Sequence, residues 1–147
     1  MKAYPRRFVP SLWWLAWLLL ASGLLLVPGM LALRLEWDIP DAWIGPRSWY
    51  AAAHGMLAFI ALLFMGALLA IHVRHGLRQK HSRGSGLTLL FVLPLPVLTG
   101  WGIYYIASEH WATGISIVHA TTALLIAIPL AAHALAARKR QRASATW

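Results

Sequence analysis

Seven histidines are the side chains of this sequence best suited to chemistry, because a neutral imidazole is a strong metal ligand. They are His54, His72, His75, His81, His110, His119 and His133. Four of them, His54, His72, His119 and His133, fall inside long apolar stretches. An ionisable side chain at membrane depth is costly and usually faces a protein interior, where it has a function. A hydrogen bond between helices readily explains a single histidine at this depth. It explains two pairs of histidines on two helices far less well.

The spacing within each pair predicts that its two histidines share one face of a helix. His54 and His72 are 18 residues apart, which is about five turns. His119 and His133 are 14 residues apart, or about 3.9 turns, so their directions differ by some 40°. One further helix separates the two histidine-bearing helices in the chain, so both should run in the same direction. The pairs can then face each other at two depths.

Two opposed imidazoles at one depth predict axial ligation of a haem, a flat apolar disc that fits between packed helices. We expect His54 and His119 to hold an outer haem, and His72 and His133 to hold an inner one. A divalent-metal site or transport path is an alternative, because imidazole also suits zinc, copper or nickel. Structural hydrogen bonding is the other alternative.

The inner site is less well defined by the sequence. The separation within a pair is about 27 Å on one helix and about 21 Å on the other, so tilt or a bend at Pro129 must absorb the difference. His75 is an alternative to His72 as the inner ligand. It lies about 60° from the face of His54 and beyond Arg74, nearer water, so His72 is preferred.

Four apolar stretches without Lys, Arg, Asp or Glu are long enough to cross a bilayer as helices, which takes about 20 residues. The sequence is 60% hydrophobic and 12% charged, against about 25% charged in a soluble domain. The predicted fold class is all-α: one integral membrane four-helix bundle over residues 1–140, up-down-up-down, with a short tail at 141–147. Predicted spans one to four are Leu12–Leu33, Tyr50–Val73, Leu87–Ala107 and Trp111–Ala137.

The distribution of charge predicts the orientation in the membrane. The basic residues before span one, between spans two and three, and after span four are Lys2, Arg6, Arg7, Arg74, Arg78, Lys80, Arg83, Arg138, Lys139, Arg140 and Arg142. The other two loops hold all four acidic residues but only Arg34 and Arg47. The positive-inside rule therefore predicts that both termini are cytoplasmic. This topology accounts for the net charge of +9 without nucleic acid as a partner.

Two further features narrow the class. The apolar run of span one exceeds the usual 7–15 residues of a signal-peptide core, so we expect it to remain uncleaved. The sequence has no cysteine. This excludes a thioether-attached haem, a cysteine-ligated iron–sulfur cluster and a thiolate zinc site.

Several side chains near the histidines could assist a haem. Propionates need cationic or hydrogen-bonding partners, for which the candidates are Arg47 and Trp49 at the outer pair and Arg74, Arg78 and Arg138 at the inner pair. The positive-inside rule and anchoring at the membrane interface explain each of these five residues equally well. The glycines that could let a porphyrin approach the backbone are Gly55, Gly66 and Gly114. A polar cluster that could handle protons is expected from Tyr104, Tyr105, Glu109 and His110.

Residues 49–140 resemble the cytochrome b subunits of bacterial respiratory enzymes, including those of formate dehydrogenase and nickel–iron hydrogenase. The matching pieces are His54-Gly55, "IHVRHG", "LTGWGIYY" and "ISIVHATTALLIAIPLAAHALAARK". The sequence also resembles a group of small four-helix bacterial membrane proteins with the same histidine layout. The formate dehydrogenase type takes one inner ligand from its first helix, but span one here has no histidine. In this respect the sequence is more similar to the cytochrome b of quinol–cytochrome c oxidoreductase.

The resemblance implies a multi-pass protein of the bacterial inner membrane that carries two haem b groups. It also implies transmembrane electron transfer between a quinone pool and a periplasmic or membrane redox partner. The chain would then be an electron-transfer subunit of an oxidoreductase rather than a self-sufficient enzyme. The alternatives are a non-redox membrane anchor or assembly subunit and, less favoured, a histidine-lined metal transporter.

Overall fold

A computed structural model describes residues 7–73, 83–106 and 108–144. All regular elements in these ranges are helical, as the fold class predicts. They are α1 (Phe8–Leu35), α2 (Asp41–Ile44), α3 (Arg47–Ala67), a π-helical stretch (Leu68–Val73), α4 (Arg83–Val92), α5 (Pro94–Tyr105), α6 (Glu109–Leu125) and α7 (Ala127–Ser144).

The prediction of four membrane-spanning helices is confirmed by length and composition. The mean hydropathy of the four spans lies between 1.8 and 2.1. At most 11% of the residues in any of them are buried inside the protein. Surfaces this apolar suit lipid rather than water, and they indicate a multi-pass membrane protein. In the structure, spans one to four are Phe8–Leu35, Asp41–Ala70, Gly84–Tyr105 and Glu109–Ala137.

The spans pack mainly as two pairs. Span one lies against span two through α1 and α3, and span three lies against span four through α5 with α6 and α4 with α7. A smaller contact between α1 and α6 joins the pairs. Within the second pair, the buried Gly102 lies against the Ile115 side chain.

Prolines break spans three and four but not span one. A proline has no N–H to donate to the carbonyl four residues earlier. Span three changes from α4 to α5 at Leu93, immediately before Pro94, and span four changes from α6 to α7 at Ile126, three residues before Pro129. By contrast, α1 runs through Pro28 as one helix.

Span two departs from regular α-helix at its end. The stretch Leu68–Val73 is π-helical, with backbone hydrogen bonds that span five residues instead of four. His72 lies within it. His54 and His72 would share a face if the helix kept 3.6 residues per turn between them. The stretch Leu68–Val73 does not keep that period.

The junction between α2 and α3 depends on a glycine. Gly45 has φ +58° and ψ −165°, a backbone conformation that is essentially restricted to glycine. A Cβ atom on Gly45 would lie 2.9 Å from Cε2 of Tyr50. Both the backbone and the neighbouring ring therefore exclude a side chain here.

We expect Gly45→Ala to lower the free energy of unfolding by about 1–3 kcal/mol, the cost of such a strained backbone. The measurement is the thermal midpoint of the purified protein in detergent. Gly66→Ala is the matched control, because nothing lies within 4 Å of its added Cβ. Equal midpoints for the two variants would contradict the prediction.

Candidate functional site

His54 on α3 and His119 on α6 face each other between spans two and four. Their ring centroids are 6.2 Å apart and their planes meet at 89°. Both side chains are partly buried. The structure therefore brings together the two histidines that the sequence pairs as the outer site.

Each of these imidazoles is held at its Nδ1 atom by a hydroxyl from a neighbouring span. Ser22 Oγ on span one lies 2.9 Å from Nδ1 of His54. Thr99 Oγ1 on span three lies 3.1 Å from Nδ1 of His119. The two pairs of spans thus contribute one histidine and one hydroxyl each.

The direction of these hydrogen bonds follows from what else each hydroxyl does. Ser22 Oγ donates to the Leu19 carbonyl at 3.1 Å, and Thr99 Oγ1 donates to the Leu95 carbonyl at 2.7 Å. A hydroxyl has one proton, so an oxygen that donates to its carbonyl accepts from the imidazole. In that arrangement Nδ1 carries the proton, and the lone pair of the neutral ring is on Nε2, an atom that can bind a metal.

His133 is held in the same way farther along span four. Its Nδ1 atom lies 3.0 Å from Oγ of Ser85 on span three. Ser85 and Thr99 are 14 residues apart, as are His119 and His133, and their order along the two spans is reversed. Spans three and four therefore contain the same hydroxyl–histidine contact twice. The breaks at Leu93 and Ile126 both fall about midway between the two contacts.

A glycine follows each hydroxyl residue and lies against the same imidazole. A Cβ atom on Gly23 would lie 3.3 Å from Cε1 of His54, and one on Gly100 would lie 3.1 Å from Cε1 of His119. For Gly86 and His133 the distance is 3.8 Å. At Gly23 and Gly100 a side chain would push against the ring, so glycine is what lets the imidazole lie against the helix backbone.

These three glycines and three hydroxyl residues are not among the positions that the sequence predicts. Of the glycines predicted instead, Gly66 and Gly114 have no neighbour within 4 Å of an added Cβ, and Gly55 meets only Oη of Tyr104 at 4.0 Å. The three pairs do share a sequence signal, a Ser-Gly or Thr-Gly dipeptide within an apolar span: Ser22-Gly23, Ser85-Gly86 and Thr99-Gly100. The signal is not specific, because it also occurs at Thr113-Gly114, which has no such contact.

The other half of the predicted inner site lies outside the described part of the chain. The side chains of His72 and Arg138 are not described. The alternative ligand His75 and the candidate propionate partners Arg74 and Arg78 lie wholly outside the described residues. Only His133 of the inner pair has a described side chain. The pairing of His72 with His133 therefore stays a prediction.

Of the two predicted partners at the outer pair, Arg47 is better placed than Trp49. Arg47 lies seven residues before His54, or about two turns, on the same side of α3. Its Cδ atom would lie 3.1 Å from a Cβ on Gly29, so the side chain extends along α1. Trp49 is 76% exposed and lies about 140° around the helix from His54.

The expected polar cluster does not form one group in the structure. The Tyr104 hydroxyl lies near Gly55. The ring centroids of Tyr105 and Trp101 are 5.0 Å apart, and those of His110 and Trp111 are 6.0 Å apart. Tyr104 and Tyr105 are each 71% exposed. These contacts fit aromatic anchoring at a membrane interface.

The donor set of the outer site fits a metal that needs only two protein ligands. Imidazole nitrogens lie ~2.0–2.1 Å from a bound metal, so the 6.2 Å between the ring centroids leaves room for one metal atom when the two rings turn a nitrogen towards it. No group of three or more His, Asp or Glu residues converges within the described ranges. A haem fits this set, because the porphyrin supplies the other four ligands to its iron.

Comparisons with models of protein families, with curated proteins and with solved structures find no match for this chain. The class of protein must therefore be inferred from the site itself.

We expect Gly100→Ala to disturb the site, because the added Cβ meets an imidazole that is already fixed by Thr99. Overpacking of this kind costs about 1–3 kcal/mol. Resistance to unfolding by denaturing detergent measures the loss. Gly114→Ala, on the same helix as His119 but with open space around it, should behave like the wild type. If both substitutions have the same effect, the close contact at Gly100 is not what constrains this position.

Proposed function

We propose that this chain is a di-haem b-type membrane cytochrome that carries electrons across a bilayer. His54 and His119 would hold the outer haem, and His133 would hold the inner haem together with His72, or with His75 as the alternative. The observation that carries the proposal is the facing pair of histidines, with a centroid separation suited to one metal atom between them.

The number of ligands favours haem over a transported metal ion. Zinc sites in proteins take three or four protein ligands, whereas the described residues offer two imidazoles and no carboxylate at the outer site. A haem would need no more than two ligands from the protein, because the porphyrin supplies the other four. The cysteine-free sequence leaves the haem without a thioether attachment, which excludes the c type.

The chain's own residues have three tasks at this site. His54 and His119 would bind the iron through Nε2, Ser22 and Thr99 would hold Nδ1 of each ring, and the apolar spans would keep the site away from bulk water. Arg47 lies about two turns from His54 and supplies a cation for propionate carboxylates. The bound haem would supply one-electron transfer.

The repeat on spans three and four supports a second site at another depth. His119 and His133 lie 14 residues apart, which corresponds to about 21 Å of regular helix. Each of them receives a hydroxyl and a glycine from span three in the same arrangement. Two sites at two depths provide a path across the membrane.

The remaining parts of the proposal concern location and partners. We place the chain in the bacterial inner membrane as an up-down-up-down bundle. Both termini would be cytoplasmic, because the positive-inside rule assigns the segments rich in Lys and Arg to that side. The partners would be the quinone/quinol pool and a periplasmic or membrane redox protein. The acidic loop with Glu36, Asp38 and Asp41 offers a surface for a basic partner. The chain would act as an electron-transfer subunit.

The purified protein should give a reduced-minus-oxidised visible spectrum of b-type haem. His54→Ala and His119→Ala should each remove the same haem, while His133→Ala and His72→Ala should each remove the other, because each variant lacks one of the two imidazoles that would hold that haem. Haem content per chain and the spectrum of each variant are the measurements. His110→Ala, which lies outside both pairs, is the control.

A wild-type protein without haem, made in haem-replete cells, would contradict the proposed function and favour an anchor or assembly subunit. Bound zinc, copper or nickel in place of haem would favour the transporter. Loss of one and the same haem in all four variants would refute the two-site pairing. If His75→Ala removes the inner haem and His72→Ala does not, His75 is its ligand.

The orientation can be tested separately. Because the chain has no cysteine, Asp38→Cys and Lys139→Cys each introduce a single thiol. A membrane-impermeant thiol reagent should label the first from the periplasmic side of spheroplasts and the second only from the cytoplasmic side of inverted vesicles. Labelling of both positions from the same side would contradict the proposed topology.

A further inference from the structure

The described residues contain three copies of one small arrangement: a hydroxyl within hydrogen-bond distance of a histidine Nδ1, followed by a glycine next to the same ring. The copies are Ser22-Gly23 with His54, Thr99-Gly100 with His119, and Ser85-Gly86 with His133. We propose that Ser22 and Thr99 are positioning residues that fix the protonation and the ring orientation of the outer ligands, and thereby the redox potential of the haem. This inference rests on the proposed function of the site.

The first part of the role is the choice of tautomer. A neutral imidazole carries its proton on either nitrogen. With the proton on Nε2, neither ring could bind a metal through that nitrogen. Each hydroxyl oxygen also lies within hydrogen-bond distance of a backbone carbonyl, of Leu19 or of Leu95. A hydroxyl that donates its one proton to that carbonyl accepts from Nδ1–H and so selects the tautomer with a free Nε2.

The second part of the role is orientation. An imidazole joined to the chain by a single bond can turn about that bond, and a hydrogen bond at Nδ1 stops this rotation. The two hydroxyls belong to different spans, so each ring takes its direction from a different helix pair. The 89° angle between the ring planes is the result. The glycines allow both rings to lie close enough to the neighbouring helix to reach the hydroxyl.

The third part of the role is electronic. A metal-bound imidazole that donates a hydrogen bond from its other nitrogen is a more basic ligand, and a more basic ligand stabilises ferric iron relative to ferrous iron. Loss of the acceptor should therefore shift the midpoint potential to a more positive value. Loss of the orientation should change the angle between the ligand planes, to which the electron paramagnetic resonance (EPR) signal of low-spin ferric haem is sensitive.

The test uses Ser22→Ala and Thr99→Ala in the full-length protein. Their conservative counterparts, Ser22→Thr and Thr99→Ser, keep a hydroxyl. Thr113→Ala is the control, because Thr113 Oγ1 donates to the Glu109 carbonyl and sits on the same helix as His119. Ser85→Ala is a second control, because its partner is His133. The measurements are a redox titration and the EPR spectrum of each haem.

We expect each alanine variant of Ser22 and Thr99 to shift the outer haem to a more positive potential and to change its EPR signal, without altering the inner haem. Ser85→Ala should alter only the inner haem, Thr113→Ala neither, and the conservative variants should restore wild-type behaviour. If an alanine variant does not bind haem, haem binding by the conservative variant at the same position supports the role of the hydroxyl. A conservative variant that also fails to bind haem contradicts that role.

A measurement without haem separates this inference from the proposed function. Nitrogen-15 NMR of haem-free protein with labelled histidine in lipid should show His54 and His119 protonated at Nδ1, with the Ser22→Ala and Thr99→Ala variants changing one ring each. Protonation at Nε2 in the wild type would overturn the inference. An outer haem whose midpoint potential and EPR signal are unchanged by both substitutions would also overturn it. A wild type that never takes up haem contradicts the proposed function whatever the tautomer is.

Discussion

A polar side chain within the hydrocarbon of a bilayer must find a hydrogen-bond partner in the protein, because lipid provides none. Three histidines of this chain meet that requirement with hydroxyls from neighbouring spans. The hydroxyls meet it as well, because Ser22 and Thr99 donate to carbonyls of their own helices. These contacts tie span two to span one and span four to span three. The rest of the arrangement follows from this pairing, including the face of each helix that carries a histidine.

Much of the fold follows from the sequence for a simple reason. Long apolar stretches without charge have only one stable backbone arrangement in lipid, so the four spans could be predicted to within a few residues at most of their ends. Span two is the exception, since the structure extends it back to Asp41 through the short helix α2. The meeting of His54 with His119 could also be foreseen, because a polar group on each of two apolar helices favours one relative rotation.

The finer features could not be foreseen from periodicity. The structure is π-helical over Leu68–Val73, and no residue type in LLAIHV requires it. The hydroxyl partners escaped notice because Ser and Thr in apolar helices commonly bond only to their own backbone. Gly23 and Gly100 were passed over for a related reason. Glycine is common in membrane helices, and what it lies against depends on contacts between helices.

The equal spacing of the two hydroxyl–histidine contacts along spans three and four limits how these two helices can change during evolution. The two hydroxyl–histidine contacts are separated by the same number of residues on both spans, and both spans break near the midpoint between them. A one-residue deletion between His119 and His133 would turn one histidine by about 100° relative to the other and shorten the span by about 1.5 Å. Only a matching deletion between Ser85 and Thr99 would restore both contacts. In related proteins, length changes in these two segments should therefore occur together, and a solitary insertion would mark a protein that has given up one of its two histidine sites.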